Sequence, residues 1–488
     1  MARVARITYT SKIFQFARLP FLSLGLLVMA GCSVGPKYVR PTTVIPPAYK
    51  ENADWKPAQP SDESQKGNWW EIFQDPQLNA LEAKIAVSNQ TLRAAVDRFQ
   101  EARDVLRQTR SLLYPLVTAG FSPSQNRQST DKSLHGATSP TDYSDLLLQG
   151  EVSYEVDAWG SVRHSVQSSR NLAQATASDL ETIRLSLHAE LALDYMTLRG
   201  LDAQKRLFDS NVQAFQKAVD LTEERFRGGV ASREDVDLAD TQLEQTRAQD
   251  IDITSARDQF EHAVAVLIGQ PASSFHLDPG QLPAIPPVPP PGLPSQLLER
   301  RPDIAGAERR VAAANEQVGI ARAAFFPTIT LGLAAGFESG QFPNWLTGPS
   351  AIWAVGASAA ETIFDAGRRR AVSDQTLATY DEMIADYQQT VLISFQQVED
   401  SLSDLRVLEE EAKTQDAAVA AANRAVEQST NRYKGGLDTY LTVITAQNAA
   451  LVNERTAVSL LTRRLTSTVL LVKAIGGGWD VSKLPAVD

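Results

Sequence analysis

A single cysteine, Cys32, stands in this chain of 488 residues. One thiol cannot form an internal disulfide, so no disulfide framework holds the fold. Histidine is almost as scarce. His135, His164, His188, His262 and His276 are scattered, without the His-x-x-x-His or Cys/His spacing that a metal site needs. The chain also lacks a phosphate-cradling Gly-rich loop and a Gly-x-Ser-x-Gly elbow. These absences argue against an enzyme, and no metal or cofactor is expected. Basic residues are outnumbered, 47 Lys and Arg against 58 Asp and Glu, which removes the basic footprint of a nucleic-acid binder. Carboxylates this frequent on long helices read as a solvated face. The apolar stretch Leu19–Ala30 falls short of the ~20 residues that a membrane-spanning helix requires.

Glycine and proline are missing where their absence means most. From Arg368 to Lys434, about 67 residues, there is neither, and from Leu437 to Ile475, about 39, there is again neither. Runs without these breakers should be helical. At ~1.5 Å per residue they reach roughly 100 Å and 58 Å. Between them lies Arg432-Tyr433-Lys434-Gly435-Gly436-Leu437-Asp438-Thr439-Tyr440, a tight turn at the tip of a long helical hairpin. The tip occurs twice: Arg225-Phe226-Arg227-Gly228-Gly229-Val230-Ala231-Ser232 matches it position by position. Its flanks match too, Ser161–Arg227 broken only by Gly200, then Val230–Ile268. A period of about 207 residues marks an internal duplication.

The chain divides accordingly. Residues 1–31 carry a basic head (Arg3, Arg6, Lys12, Arg18), an apolar middle and small residues before Cys32, the pattern of an export signal. Met29-Ala30-Gly31-Cys32 reads as a lipobox in which Cys32 becomes the lipidated first residue; several acyl chains make a stable anchor. Ser33 rather than Asp follows, which points to the outer membrane. Loss of the leader takes the net charge from −11 to about −15. Residues 32–67 are Pro-rich and read as an extended arm over the body. Residues 68–270 form the first repeat, 271–294 a Pro-rich connector, 295–476 the second repeat and 477–488 a tail.

Each repeat contains two period-two stretches. In the first, Val117, Ala119 and Phe121 alternate with polar or small residues, a polar loop spans Pro123 to Asp145, and Leu148, Gly150, Val152, Tyr154 and Val156 alternate with Gln149, Glu151, Ser153, Glu155 and Asp157. In the second, Ile329, Leu331, Leu333, Ala335 and Phe337 form one set and Trp353, Val355, Ala357 and Ala359 the other. Helices flank both: one from Gln77 to Leu113, one from Arg301-Pro302 to Phe326-Pro327. Four strands of this kind suit either a soluble sheet or part of a transmembrane β-barrel. The lipid anchor favours the barrel. Four strands cannot close one, and an open edge in lipid leaves backbone groups unpaired, so several copies must share it; two copies give eight strands, usually with a filled interior, and three give twelve, wide enough for a pore. The alanines Ala417, Ala418, Ala420, Ala421, Ala422 and Ala425 suit close helix packing in a curved wall better than the Leu/Ile seam of a solid coiled coil.

With these marks the chain resembles the outer-membrane factors of tripartite efflux and type I secretion systems, the TolC/OprM-like proteins, and within them the NodT-type lipoproteins. The resemblance rests on Cys32-Ser33-Val34-Gly35-Pro36-Lys37-Tyr38, Trp69-Trp70, Arg300-Arg301-Pro302-Asp303-Ile304 with Ala307-Glu308-Arg309, Phe326-Pro327, Phe364-Asp365-Ala366-Gly367 and the two tips. It implies a mainly α fold with a membrane β portion: a homotrimer whose twelve-stranded barrel continues into a long α-helical barrel. It implies a passive exit duct for drugs and other small toxic compounds. The duct would sit in the outer membrane and be fed by a periplasmic adaptor and an inner-membrane pump such as an RND-type transporter. Tip residues Arg225, Phe226, Gly228, Gly229, Val230, Arg432, Tyr433, Gly435, Gly436 and Leu437 would meet the adaptor. The periplasmic gate would involve Tyr433 with Asp235, a constriction at Leu441, and Thr445 where relatives often carry Asp, with Asp438 as a substitute latch. Type I protein secretion and a lipid-anchored coiled-coil spacer remain the alternatives.

Overall fold

The computed structural model describes residues 33–52, 68–131, 140–287 and 297–479; the export signal and Cys32 lie outside them. Seven long helices and four strands follow in order: α1 (Pro76–Ser88), α2 (Gln90–Ser111), β1 (Leu116–Arg127), β2 (Asp142–Val156), α3 (Ser161–Arg227), α4 (Arg233–Leu267), α5 (Pro302–Ala323), β3 (Thr328–Ser339), β4 (Ala351–Ala360), α6 (Arg368–Lys434) and α7 (Tyr440–Ala474). The run Ser161–Arg227, broken only by Gly200, and the breaker-free run Arg368–Lys434 set the bounds of α3 and α6, each 67 residues, or ~100 Å.

The helices form a single-layered wall. α3 packs against α2 and α4 on one flank and α5 and α7 on the other, and α6 lies beyond α5 and α7. Two shorter helices stacked end to end thus match one long one. The joints are built alike in both repeats. Asn89 donates from Nδ2 to the Leu267 carbonyl at 2.7 Å, and Arg301 donates to the Ala474 carbonyl at 3.0 Å. At each joint a glycine with positive φ, Gly269 or Gly476, lies so close to a backbone carbonyl that a Cβ would collide with it.

The first joint corrects an expectation. Residues 77–113 do not form one helix. Asn89 leaves helical geometry (φ −70°, ψ 120°), ending α1 and capping α2 by accepting from the Leu92 N–H. A helix run carries no signal of this, because the partner that holds Asn89 is 178 residues away.

A main core gathers where α1, α3 and α7 meet, around Trp69, Trp70, Leu78, Ile85, Tyr195, Met196, Leu465 and Val469. A second gathers towards the tips around Phe208, Phe215, Tyr433, Tyr440 and Leu451. Small residues line the wall. Buried alanines include Ala173, Ala175 and Ala177 on α3 and Ala312, Ala313 and Ala314 on α5. Within one chain Ala417–Ala425 of α6 lie where nothing is buried between Leu408 and Ser429.

The strands form one antiparallel sheet in the order β1-β2-β3-β4. The expected loop from Pro123 to Asp145 is shorter than supposed: β1 runs on through Pro123 to Arg127 and pairs with a β2 that begins at Asp142. Within one chain the outer side of β1 is unpaired, where a missing N–H is tolerated. Residues 33–52 lie along the body, and the rest of the arm expected over 32–67 falls outside the described residues. The described part starts at the strand–helix junction, with Val34 N–H donating to the Trp159 carbonyl, and reaches α6, where Glu399 accepts from the Lys50 and Glu51 N–H groups.

Candidate functional site

Register turns the alternation of single strands into a surface. Val117 faces Val152, Val152 faces Leu333 and Leu333 faces Val355. One pair along, Ala119, Gly150, Ala335 and Trp353 line up, and Phe121, Leu148, Phe337 and Ala351 do the same. One face of the sheet is therefore apolar across all four strands, and Val117, Phe121, Leu331, Leu333, Trp353 and Val355 stand exposed on it. The opposite face carries Thr118 with Glu151, Gly120 with Gln149, and Glu155 with Thr330 and Ser358. Aromatic side chains mark both ends. Near the helices are Tyr114, Phe326 and Phe364, with Trp159 stacked on Phe326 at 4.7 Å. At the far end are Phe342 and Trp345, the latter against Phe121 at 5.0 Å. Strands of 10 to 15 residues, an apolar band and aromatic girdles are the features of a lipid-facing barrel wall. Among the described residues no helix is long and apolar enough to cross a membrane. β1 and β4 have free outer edges within one chain, and such edges are not tolerated in lipid.

At the other end of the molecule the two tips are closed by the same turn. Gly228 and Gly435 end α3 and α6. Gly229 and Gly436, both at φ +70°, then let Val230 and Leu437 donate back to the Arg225 and Arg432 carbonyls at 2.8 and 3.0 Å. Only glycine takes this left-handed position without strain. Val230 and Leu437 are left exposed at the extremity.

Beyond the turns the tips differ. In the first, Ser232 and Asp235 form a reciprocal capping box, the Ser232 N–H donating to the Asp235 carboxylate at 3.0 Å. In the second, Thr439 gives no side-chain cap. Asp438 does the local work instead, accepting from the Thr442 hydroxyl and the Thr439 N–H at 2.9 Å each and from Arg432 Nε at 3.2 Å. The Thr442 hydroxyl first, then the Thr439 N–H and Arg432, hold this carboxyl below the usual range.

The expected gate residues are close together but not all bonded as anticipated. Within the chain Tyr433 makes no hydrogen bond to Asp235, whose carboxylate serves its capping box. The Tyr433 ring is buried against Tyr440, centroids 5.1 Å apart, and its hydroxyl has no partner. Burial, then Tyr433 and Asp235, raise the Tyr440 hydroxyl to about 12. Leu441 is exposed on α7, and Thr445, one turn on, donates its hydroxyl to the Leu441 carbonyl at 2.8 Å. Both lie on the face of α7 opposite the buried Val443 and Ile444.

Two residues expected at the adaptor surface turn elsewhere. Arg225 lies over the Tyr433 ring, 4.7 Å from its centroid, and donates to the Lys434 carbonyl at 3.2 Å. It therefore joins the first tip to the second, and Tyr433 is its buried seat. Position-by-position identity of the tips gave no hint of this sideways contact.

The sequence pattern of the outer membrane efflux protein family matches residues 82–270 and 293–477. A probable efflux pump outer membrane protein, TtgC, of Pseudomonas putida is 30% identical over 464 residues, spanning 94% of this chain and 95% of its own length. The pyoverdine export outer membrane protein OpmQ of Pseudomonas aeruginosa is 32% identical over 424 residues, 86% of this chain and 89% of its own. Among solved structures, the outer-membrane channel OprN superposes with a TM-score of 0.85 at 31% identity, covering 92% of this chain and 100% of that one.

Proposed function

This chain belongs to the outer membrane efflux protein family, and from that premise we propose that it forms a trimeric, lipid-anchored exit duct. As a family member it is a non-enzymatic outer-membrane efflux channel that works with an adaptor and an inner-membrane pump. The observation that carries the finer reading is the four-stranded sheet with one exposed apolar face and two open edges. A soluble spacer would have to leave that face in water. Three copies would pair each β4 with the next β1 and close twelve strands, wide enough for a pore, with the Glu151 and Glu155 face towards water.

The course of the arm supports a lipid anchor at Cys32. Ser33 sits beside Trp159 and Gly160, at the helix-proximal end of the apolar band, so acyl chains on Cys32 would enter the bilayer there. The exposed Val230 and Leu437, with Gly228, Gly229, Gly435 and Gly436, would meet the hairpins of a periplasmic adaptor. An RND-type transporter would supply the energy. Leu441 and Thr445, on the exposed face of α7, would line the gate. The load is a small toxic molecule chosen by the pump: relatives of about 30% identity carry names for toluene, antibiotic and pyoverdine export, three unlike cargoes for one kind of duct.

Planar-bilayer recording of the purified full-length protein tests the reading. Discrete conductance steps are expected, larger and longer when Leu441→Ala widens the constriction. Protein that neither inserts nor conducts would overturn it. Mass measurement of the mature N-terminus tests Cys32 separately, with loss of the acyl mass expected in Cys32→Ala.

A further inference from the structure

We propose that Arg432 of one chain clasps the first tip of a second copy, over its Phe226 ring and onto its Arg227 carbonyl, and that Asp438 of the same chain competes for Arg432. The inference rests on the assembly of several copies proposed above.

The clasp already exists once inside the chain. Arg225, at the end of α3, reaches past α7 to the end of α6, where it covers Tyr433 and binds the Lys434 carbonyl. The duplication moves each participant by about 207 positions: Arg225 becomes Arg432, Tyr433 corresponds to Phe226, and Lys434 to Arg227. The second clasp would thus run from the end of α6, past a neighbour's α4, to the end of the neighbour's α3. One chain cannot make it, because α6 is the last helix of its wall.

Both halves of the missing contact stand open. Tyr433, covered by Arg225, is 4% exposed, whereas its counterpart Phe226 is 40% exposed. The Arg432 side chain is 60% exposed. A cation on one edge and an uncovered ring on the other are complementary, and a closed ring of copies brings every such pair together.

The two clasps are not equal. Ala231 stands in the first tip where Asp438 stands in the second. Arg225 therefore meets no carboxylate of its own tip, while Arg432 Nε lies 3.2 Å from Asp438. The inner clasp is uncontested and the outer one is contested. The ring of tips then parts at chain boundaries, with each chain's two tips moving as one unit.

Single-channel recording of the full-length protein, with the native mass of each variant measured in parallel, tests this. Arg432→Ala should raise open probability at least tenfold. Asp438→Ala should lower it, because Arg432 is freed for the neighbour. The double variant should behave like Arg432→Ala alone, and Phe226→Leu should open the channel in the same direction. An Asp438→Ala variant that opens the channel, or an Arg432→Ala variant that leaves it unchanged, overturns the proposal. A wild-type mass of two chains would overturn the three-chain ring but not the clasp; a monomer would overturn both.

Discussion

α3 and α6 are the same length and end in the same turn, yet they live in different surroundings. α3 buries residues from Val162 to Thr222, including Leu187, Leu191, Tyr195 and Met196. α6 buries nothing before Tyr387 and nothing between Leu408 and Ser429, and it leaves Leu392, Ile393 and Val407 exposed. The first helix has neighbours on both flanks and the second on one. Duplicated sequence has thus been divided by position: α3 holds the chain together, and α6 leaves a long face uncovered within one chain. Positions about 207 apart compare the two roles within one molecule.

The sharpest pair is Arg199 and Arg406. Arg199 is fully buried. It donates to Asp202 and Gln77 at 2.6 Å each and to the Asp278 carbonyl at 2.9 Å, and it lies over the Tyr195 ring. Arg406 pairs with Glu51 in a partly exposed bridge of 2.8 Å. Arg199→Ala should cost about 3–5 kcal/mol, the range for breaking a buried pair, and Arg406→Ala about 0–1 kcal/mol. Thermal melting of the two purified variants checks this. Equal losses would break the comparison.

The next pair concerns pH. His188 on α3 is buried, with Nδ1 2.6 Å from Glu82 and its ring stacked on Trp70; the matching position on α6 is Phe395. Burial, aided by Arg184, lowers the His188 pKa from 6.5 to about 4. Burial raises the Glu82 carboxyl as well. A depressed histidine adds stability that is complete above pH 6.5 and is lost as pH falls through about 4. That loss approaches about 3 kcal/mol at 1.36 kcal/mol per pKa unit. His188→Gln keeps Glu82 and removes the titration, so its melting temperature should change less between pH 6.5 and 4 than that of the wild type.

The smallest expected contrast is Gly200 against Val407. A Cβ at Gly200 would lie 2.3 Å from the Thr462 side chain on α7, so α3 and α7 approach closely there. Gly200→Ala should cost about 1–3 kcal/mol by overpacking. Val407→Ala should change the chain's own stability by less than about 0.5 kcal/mol and lower instead the temperature at which the assembly dissociates, as read by gel mobility of unheated samples.

Much of this was legible in the sequence for physical reasons. Runs without Gly or Pro leave a long helix little alternative, so the ends of α3 and α6 could be named to the residue. Alternation of bulky apolar residues such as Val152, Leu333 and Val355 with polar or small neighbours defined one face per strand, and register merely joined the faces. What escaped depended on distant partners. Nothing local announces that Asn89 will break a helix to hold the Leu267 carbonyl. Arg225 and Arg432 occupy matching positions of the two tips, yet one is seated on Tyr433 and the other held by Asp438. Pro123 suggested a loop, and only its pairing opposite Leu146 shows that β1 runs through it.

The central claim is that one chain supplies a third of a closed wall. Native mass spectrometry of the detergent-extracted mature protein, paired with electron microscopy of the same sample, tests it most directly. Three chains forming a three-fold tube, with a detergent belt around the sheet and roughly 100 Å of helix below it, are the predicted result. A monomeric rod without a belt would contradict it.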